Sequence, residues 1–138
     1  MRILILGPES RNRTIKDFLS SKNHEIRITE EEITLDFLEE NQINFMISSG
    51  YAPIVKESVV SAYRNRIINL HISYLPFGKG IYPNFWSFFE GTPKGVSIHF
   101  IDAGIDSGNI LFQREIRVSD DDTLQSSHVK LMAELEAL

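Results

Sequence analysis

Four short apolar runs divide the first half of the chain, each separated from the next by a stretch with helical spacing. This alternation limits the possible folds more than any other feature of the sequence. Arg2-Ile-Leu-Ile-Leu6 stops at Gly7-Pro8 and reads as a buried strand. A helical pattern (Ile15, Phe18, Leu19) follows Ser10 and runs to about Lys22. His24–Thr29 alternates like a second strand, and Glu30–Asn41 places Ile33, Phe37 and Leu38 on one helical face. Asn44–Ser48 is the third strand. After the loop Ser49–Pro53, Pro53 suits the first turn of a helix that runs to about Ala62 with Val55, Val59 and Val60 inward. Arg66–Leu70 is the fourth strand. Strands alternating with helices over short links predict an α/β fold with a mostly parallel sheet and helices on both faces. The right-handed crossover rule then makes the topology Rossmann-like.

The second half has a different character. A Pro/Gly loop, Pro76–Tyr82, leads into a short aromatic helix from Pro83 to about Glu90. Gly91–Gly95 is a turn, Val96–Ile101 a strand, and Asp102–Gly108 a tight polar loop. Asn109–Val118 is a further strand, expected to pair with its predecessor. Asp120–Asp122 are expected to cap a last helix, Thr123–Leu138, and favour its positive N-terminal end; its apolar positions are Leu124, Val129, Leu131, Met132 and Leu135. That helix stops while still apolar, so a continuation into a longer parent protein is expected, the alternative being a helix that docks by its last Leu.

A chain of 138 residues is one domain by length, residues 1–138, with room for one sizeable core. The net charge of -5 argues against a chain built to grip a nucleic-acid backbone. With no cysteine, disulfides, thiolate catalysis and cysteine-held metals are excluded. No secretory signal pattern opens the chain and no apolar run reaches spanning length, so a cytoplasmic protein is expected.

The first turn, Gly7-Pro8-Glu9-Ser10, is neither G-x-G-x-x-G nor a P-loop, so no dinucleotide or nucleoside triphosphate is expected there. Metal spacing and a Gly-x-Ser-x-Gly elbow are also missing. Asn69 and His71 stand two apart where an apolar run breaks into the loop. On a strand they share a face, at the end where open α/β sheets take ligands. Of the four histidines, His24 and His128 read as surface groups, while His99 inside its strand is either packed or a minor pocket contributor. Asp102 and Asp106 lie in a Gly-rich loop. Either could orient an imidazole, or bond its own turn's N–H groups. In Tyr82-Pro-Asn-Phe-Trp86-Ser-Phe-Phe89, core packing is expected for at least half of the rings, and an exposed ring could stack on a nucleobase or sugar.

Together these residues resemble the formyltransferases that use 10-formyltetrahydrofolate. The marks are Asn69-Leu-His71, then Ser73-Tyr-Leu75-Pro76, then Ser97-Ile-His99-Phe100 leading to Ile105-Asp106-Ser107-Gly108, in the family's order and spacing. The resemblance implies the family's N-terminal catalytic domain, with Asn69, His71 and Asp106 as the catalytic trio. It selects Asp106 over Asp102 because Asp106 immediately precedes Ser107-Gly108. It also implies cofactor-binding positions at Gly50, Tyr51, Ala52, Pro53, Ile54 and Val55, with Ile101, Asp102, Ala103 and Gly104. Two positions depart from the family: Ile72 stands where Pro or Ala is frequent, and Tyr82 replaces a loop histidine of the purine enzyme.

The segment Leu75–Trp86, with Thr92–Gly95, looks most like the nucleotide-sugar N-formyltransferases, which act on dTDP- or UDP-linked amino sugars such as those of O-antigen lipopolysaccharide. Ser73, Leu75, Pro76, Phe77, Lys79, Gly80, Tyr82 and Trp86 are then implied substrate-binding residues. The implied co-substrate is 10-formyltetrahydrofolate, leaving as tetrahydrofolate, with no metal. The implied partner is a small nucleotide sugar, without nucleic acid or membrane, and a homodimer could form through a C-terminal segment outside this chain. Alternatives are a formyltetrahydrofolate hydrolase, a methionyl-tRNA or glycinamide ribonucleotide formyltransferase, and a non-catalytic nucleotide-sugar-binding module.

Overall fold

The computed structural model describes all residues from Met1 to Leu138. The chain divides into two compact units, Met1–Asn69 and Leu70–Leu138. In the first unit the strands are β1 (Arg2–Leu6), β2 (Glu25–Thr29), β3 (Phe45–Ser48) and β4 (Ile67–His71). Their order is β2-β1-β3-β4, and every neighbouring pair is parallel. The helices are α1 (Glu9–Ser21), α2 (Leu35–Glu40) and α3 (Glu57–Ala62). β1 lies between β2 and β3, so its consecutive apolar residues are covered on both faces; Leu4, Ile5 and Leu6 are fully buried.

Two helices are shorter than their sequence patterns suggest. The residues from Glu30 to Thr34 precede α2 and are not helical. The Thr34 hydroxyl caps the helix by accepting from the Phe37 N–H. Ile33 and Leu38 are both buried, at the two positions a hydrophobic staple uses, so Ile33 serves the core from outside the helix. Pro53 does not start α3. Lys56 is still extended at ψ 145°, and the helix begins at Glu57, which leaves 49–56 as a loop.

The second unit takes up the last two residues of β4, and the strand order continues from β4 to β5 (Gly95–Phe100) and β6 (Ile110–Glu115). β5 and β6 are antiparallel, with a register shift between Ile98 and His99. The helices are α4 (Pro83–Phe89) and α5 (Leu124–Glu136). The Ser97 hydroxyl, fully buried, donates to the Ser73 carbonyl and accepts from the Leu75 N–H and from Gln113. Gln113 also donates to the Leu75 carbonyl. The chain leaving β4 is thereby fixed to β5 and β6.

The buried faces of α4 and α5 differ from the apolar pattern. α4 buries Pro83, Asn84 and Ser87 and exposes Phe85, Trp86 and Phe89, and Tyr82 before it is exposed too, which corrects the expectation that at least half of these rings pack into the core. α5 is capped by the Thr123 hydroxyl, which accepts from the Ser126 N–H, and not by Asp120–Asp122; it buries Ser127, Leu131 and Leu135, a stripe with four-residue spacing, while Leu124 and Val129 are exposed. The physical reason is a polar lock. The Asn84 amide donates to the Ser127 hydroxyl at 2.9 Å and to the Leu124 carbonyl at 3.0 Å. Bonding these buried polar groups decides the rotation of both helices. We expect Leu131→Ala to lower stability by about 2–5 kcal/mol, and Val129→Ala by less than about 0.5 kcal/mol, in urea unfolding. Similar losses for both would overturn the assigned helix face.

Candidate active site

His71 is the last residue of β4 and is 7% exposed. Its Nε2 lies 2.8 Å from the Gly78 carbonyl oxygen. A carbonyl can only accept, so Nε2 carries the proton in this bond. The Pro/Gly loop makes the contact possible: Gly78 and Gly80 both have positive φ, 65° and 84°. The peptide joining Leu75 and Pro76 is cis.

Asp106 reaches the same point from the loop after β5. It adopts a left-handed backbone at φ 47°, uncommon for a residue other than glycine. Gly108 closes the loop so tightly that a Cβ there would fall 1.8 Å from the Phe100 carbonyl oxygen. The Asp106 carboxylate accepts from the Gly80 N–H at 2.8 Å through Oδ2. That same oxygen lies 3.5 Å from His71 Nε2, and Oδ1 lies 3.4 Å from His99 Nε2. The two imidazoles meet edge to face, with centroids 6.2 Å apart. Burial by itself would raise the Asp106 carboxyl. The His99 hydrogen bond, the His71 charge and the Gly80 N–H outweigh it and bring the group down to about 2. No set of three or more His, Asp or Glu is placed to hold a metal ion.

Asp102 behaves differently. Its Oδ1 accepts from Ser107 Oγ at 2.6 Å and from the Gly104 N–H at 2.9 Å, so it bonds its own turn. The Ser107 hydrogen bond, working against burial, lowers its carboxyl. Of the two readings open for these aspartates, the turn-bonding one applies to Asp102 and the imidazole-facing one to Asp106.

Asn69 closes the first unit, two residues before His71 on β4. The loop positions Gly50, Ala52 and Ile54 are exposed, and Tyr51, Pro53 and Val55 partly so. The Tyr51 hydroxyl donates to the Glu31 carbonyl at 2.7 Å. In the second unit, Asp102, Ala103 and Gly104 are exposed and Ile101 partly so. Ser73 and Leu75 are buried, and the Ser73 hydroxyl has no hydrogen-bond partner. Pro76, Phe77, Lys79, Tyr82 and Trp86 are exposed, and Gly80 holds Asp106 through its N–H.

His99 matters more than its sequence position suggested. It is 2% exposed, and its Nδ1 lies 2.8 Å from the Phe100 carbonyl, so both ring nitrogens face oxygen acceptors. A histidine near the end of a strand, just before a Gly-rich acidic loop, is the available signal.

The low Asp106 carboxyl has a consequence for stability. A carboxylate depressed in the folded state stabilises fully above its ordinary value of 3.8, and that stabilisation is lost as pH falls toward about 2. In urea unfolding across that range the chain should lose on the order of 1–2 kcal/mol that Asp106→Asn does not lose. Parallel pH curves for the two would contradict the arrangement.

The formyl transferase family model matches residues 6–137. The methionyl-tRNA formyltransferase of Finegoldia magna is 31% identical over 117 residues, covering 84% of this chain and 36% of that protein. The phosphoribosylglycinamide formyltransferase of Bacillus subtilis is 29% identical over 106 residues, covering 76% of this chain and 54% of that protein. The chain thus spans between about a third and about half of these curated relatives. The crystal structure of the formyltransferase PseJ from Anoxybacillus kamchatkensis superimposes with a TM-score of 0.93 at 42% identity, covering 99% of this chain and 71% of that one. That crystal holds UDP-4,6-dideoxy-4-formamido-L-AltNAc and tetrahydrofolate. Phosphoribosylglycinamide formyltransferase from Bacillus halodurans shares the fold at 22% identity, with a TM-score of 0.85. With nearly its whole length matched by one model, this chain belongs to the formyl transferase family.

Proposed function

We propose that this chain is the catalytic domain of an enzyme that moves a formyl group from 10-formyltetrahydrofolate to the amino group of a nucleotide-linked amino sugar. The observation that carries the reading is the His71–Asp106 pair in a chain 42% identical to PseJ over 99% of its length. The names of the curated relatives point to methionyl-tRNA and phosphoribosylglycinamide as acceptors. The net charge of -5 does not suit a tRNA, and the likeness to PseJ favours a nucleotide sugar.

Bound 10-formyltetrahydrofolate would supply the formyl carbon, which exchanges its bond to the carrier nitrogen for one to the amine. The partly exposed loop 50–56 suits a flat heterocycle: Ile54, 86% exposed, is an apolar side chain without a core role. Gly50–Val55 would hold the pterin in the first unit, and Ile101–Gly104 are the backbone positions assigned to it in the second. In this reading Tyr51 acts through its bond to Glu31, which fixes the loop.

The chain's own residues then manage charge and one proton. The Asn69 amide donates to the formyl oxygen as negative charge builds on it. His71 takes the amine's proton, which the departing carrier nitrogen regains, or, when protonated, faces the same oxygen. Asp106 is ionised in either case and favours the charged imidazole. His99 holds Asp106 from the other side. Ser73, Leu75, Pro76, Phe77, Lys79, Gly80, Tyr82 and Trp86 belong to the sugar side, where the exposed Tyr82 and Trp86 rings offer stacking surfaces. A cytoplasmic setting and a homodimer through a segment outside this chain complete the proposal. No helix here is long and apolar enough to cross a membrane.

The test is incubation with 10-formyltetrahydrofolate and a panel of UDP- and dTDP-amino sugars, read by mass spectrometry for the added formyl group. Asn69→Ala should lower kcat about 10²–10³-fold, and His71→Asn about 10²–10⁴-fold, with folding unchanged. Near-normal turnover in either variant would refute the assigned roles. Tetrahydrofolate release without any amine would favour a hydrolase.

A further inference from the structure

On β6 the usual division between polar and apolar residues is reversed. Ile110, Leu111 and Phe112 are all exposed, and of the six residues of the strand only Gln113 is drawn inward. The bonds of its amide give the reason. Gln113 stands opposite Ser97 in the antiparallel ladder, so the two side chains are cross-strand neighbours. Its Nε2 donates to the Leu75 carbonyl at 2.6 Å and to the Ser97 hydroxyl at 3.0 Å, which uses both amide protons. Ser97 Oγ gives its own proton to the Ser73 carbonyl at 2.7 Å and accepts from the Leu75 N–H at 3.2 Å. That hydroxyl has no second proton for the Leu75 carbonyl, and Gln113 supplies it.

The segment held in this way leads directly to His71's partner. A turn follows Leu75, closed by the Phe77 N–H on the Tyr74 carbonyl at 3.1 Å. Tyr74 lies hard against β5, since a Cβ on Gly95 would fall 2.9 Å from its ring. The next residue after the turn, Gly78, places its carbonyl 2.8 Å from His71 Nε2. Gln113 and Ser97 therefore anchor one end of the loop, and Asp106 anchors the other through the Gly80 N–H. Between the two anchors stands the carbonyl that keeps the proton on Nε2. A neutral imidazole accepts only at the nitrogen without the proton, so this carbonyl decides which nitrogen can receive one.

We infer that Gln113 is a positioning residue for the transfer: by holding the Leu75 end of the loop it keeps the Gly78 carbonyl on His71 and so selects the imidazole tautomer that enters the reaction. An apolar side chain at 113 would fill the same space and leave the Leu75 carbonyl unmatched. The inference rests on the proposed formyl transfer for what His71 does, whereas the tautomer of His71 is a property of the chain whatever its substrate.

The test uses the whole chain with two variants. Gln113→Met keeps the length of the side chain and removes both donors, and Gln113→Asn keeps the amide but is one methylene too short. Turnover is followed with 10-formyltetrahydrofolate and a UDP-linked 4-amino-4,6-dideoxyhexose, and the His71 ring by nitrogen NMR. In both variants kcat should fall about 10–10²-fold, with KM for either substrate within about threefold of the wild type. The neutral His71 ring, protonated on Nε2 in the wild type, should become a mixture of both tautomers. Should only one variant fold, it carries the test by itself. An unchanged tautomer, a wild-type ring protonated on Nδ1, wild-type kcat in a folded variant, or failure of both variants to fold would each overturn the inference, the last because the bonds would then serve only the fold. A tautomer shift in a chain that formylates no amino sugar would uphold the hold of Gln113 on His71 while refuting the proposed reaction.

Discussion

The Asp106 carboxylate organises the second unit's polar interior. It is placed by a left-handed backbone turn, receives the Gly80 N–H, and faces His71 with one oxygen and His99 with the other. A carboxylate largely removed from water is unfavourable unless its oxygens are matched by donors or positive charge. Here the Gly80 N–H and the two imidazoles supply donors or positive charge, and the result is a group ionised far below its usual range. The Pro/Gly loop between β4 and α4 thus has a definite electrostatic function. Gly78 offers a carbonyl to His71, Gly80 offers an N–H to Asp106, and the imidazole and the carboxylate are fixed together.

Polar locks recur through this unit. Ser97 and Gln113 secure the chain that leaves β4, and Asn84 with Ser127 secures α4 to α5. Such bonds are directional, whereas apolar contact is not. A unit that must present an imidazole and a carboxylate at fixed separation gains from that directionality. The exposed rings of α4 follow from it, because the helix is turned by what Asn84 bonds on α5 and not by its aromatic residues.

Much of the fold was legible in the residue order. β1 and β3 fall where the apolar runs place them, and the parallel alternation gives the first unit its topology. The failures share a cause. Apolar spacing predicts where α2 and α3 start and which faces of α4 and α5 are buried. The structure started α2 at a Thr34 cap, started α3 after an extended Lys56, and turned α4 and α5 by buried polar bonds. Caps and polar locks depend on single hydrogen bonds, which periodicity does not register.

The site divides along the same line. The pattern of Asn69, His71, His99 and Asp106 along the chain identifies the family, since spacing between motifs is a property of sequence alone. The choice between Asp102 and Asp106 on physical grounds needed three dimensions. Both sit in one Gly-rich loop with similar local chemistry, yet one carboxylate folds back on its own turn and the other meets two imidazoles. His99 gains its importance the same way, because its Nε2 meets the Asp106 carboxylate. A strand or a motif is encoded by neighbours in sequence. The electrostatic setting of a buried charge is set by neighbours in space, and only folding brings those together.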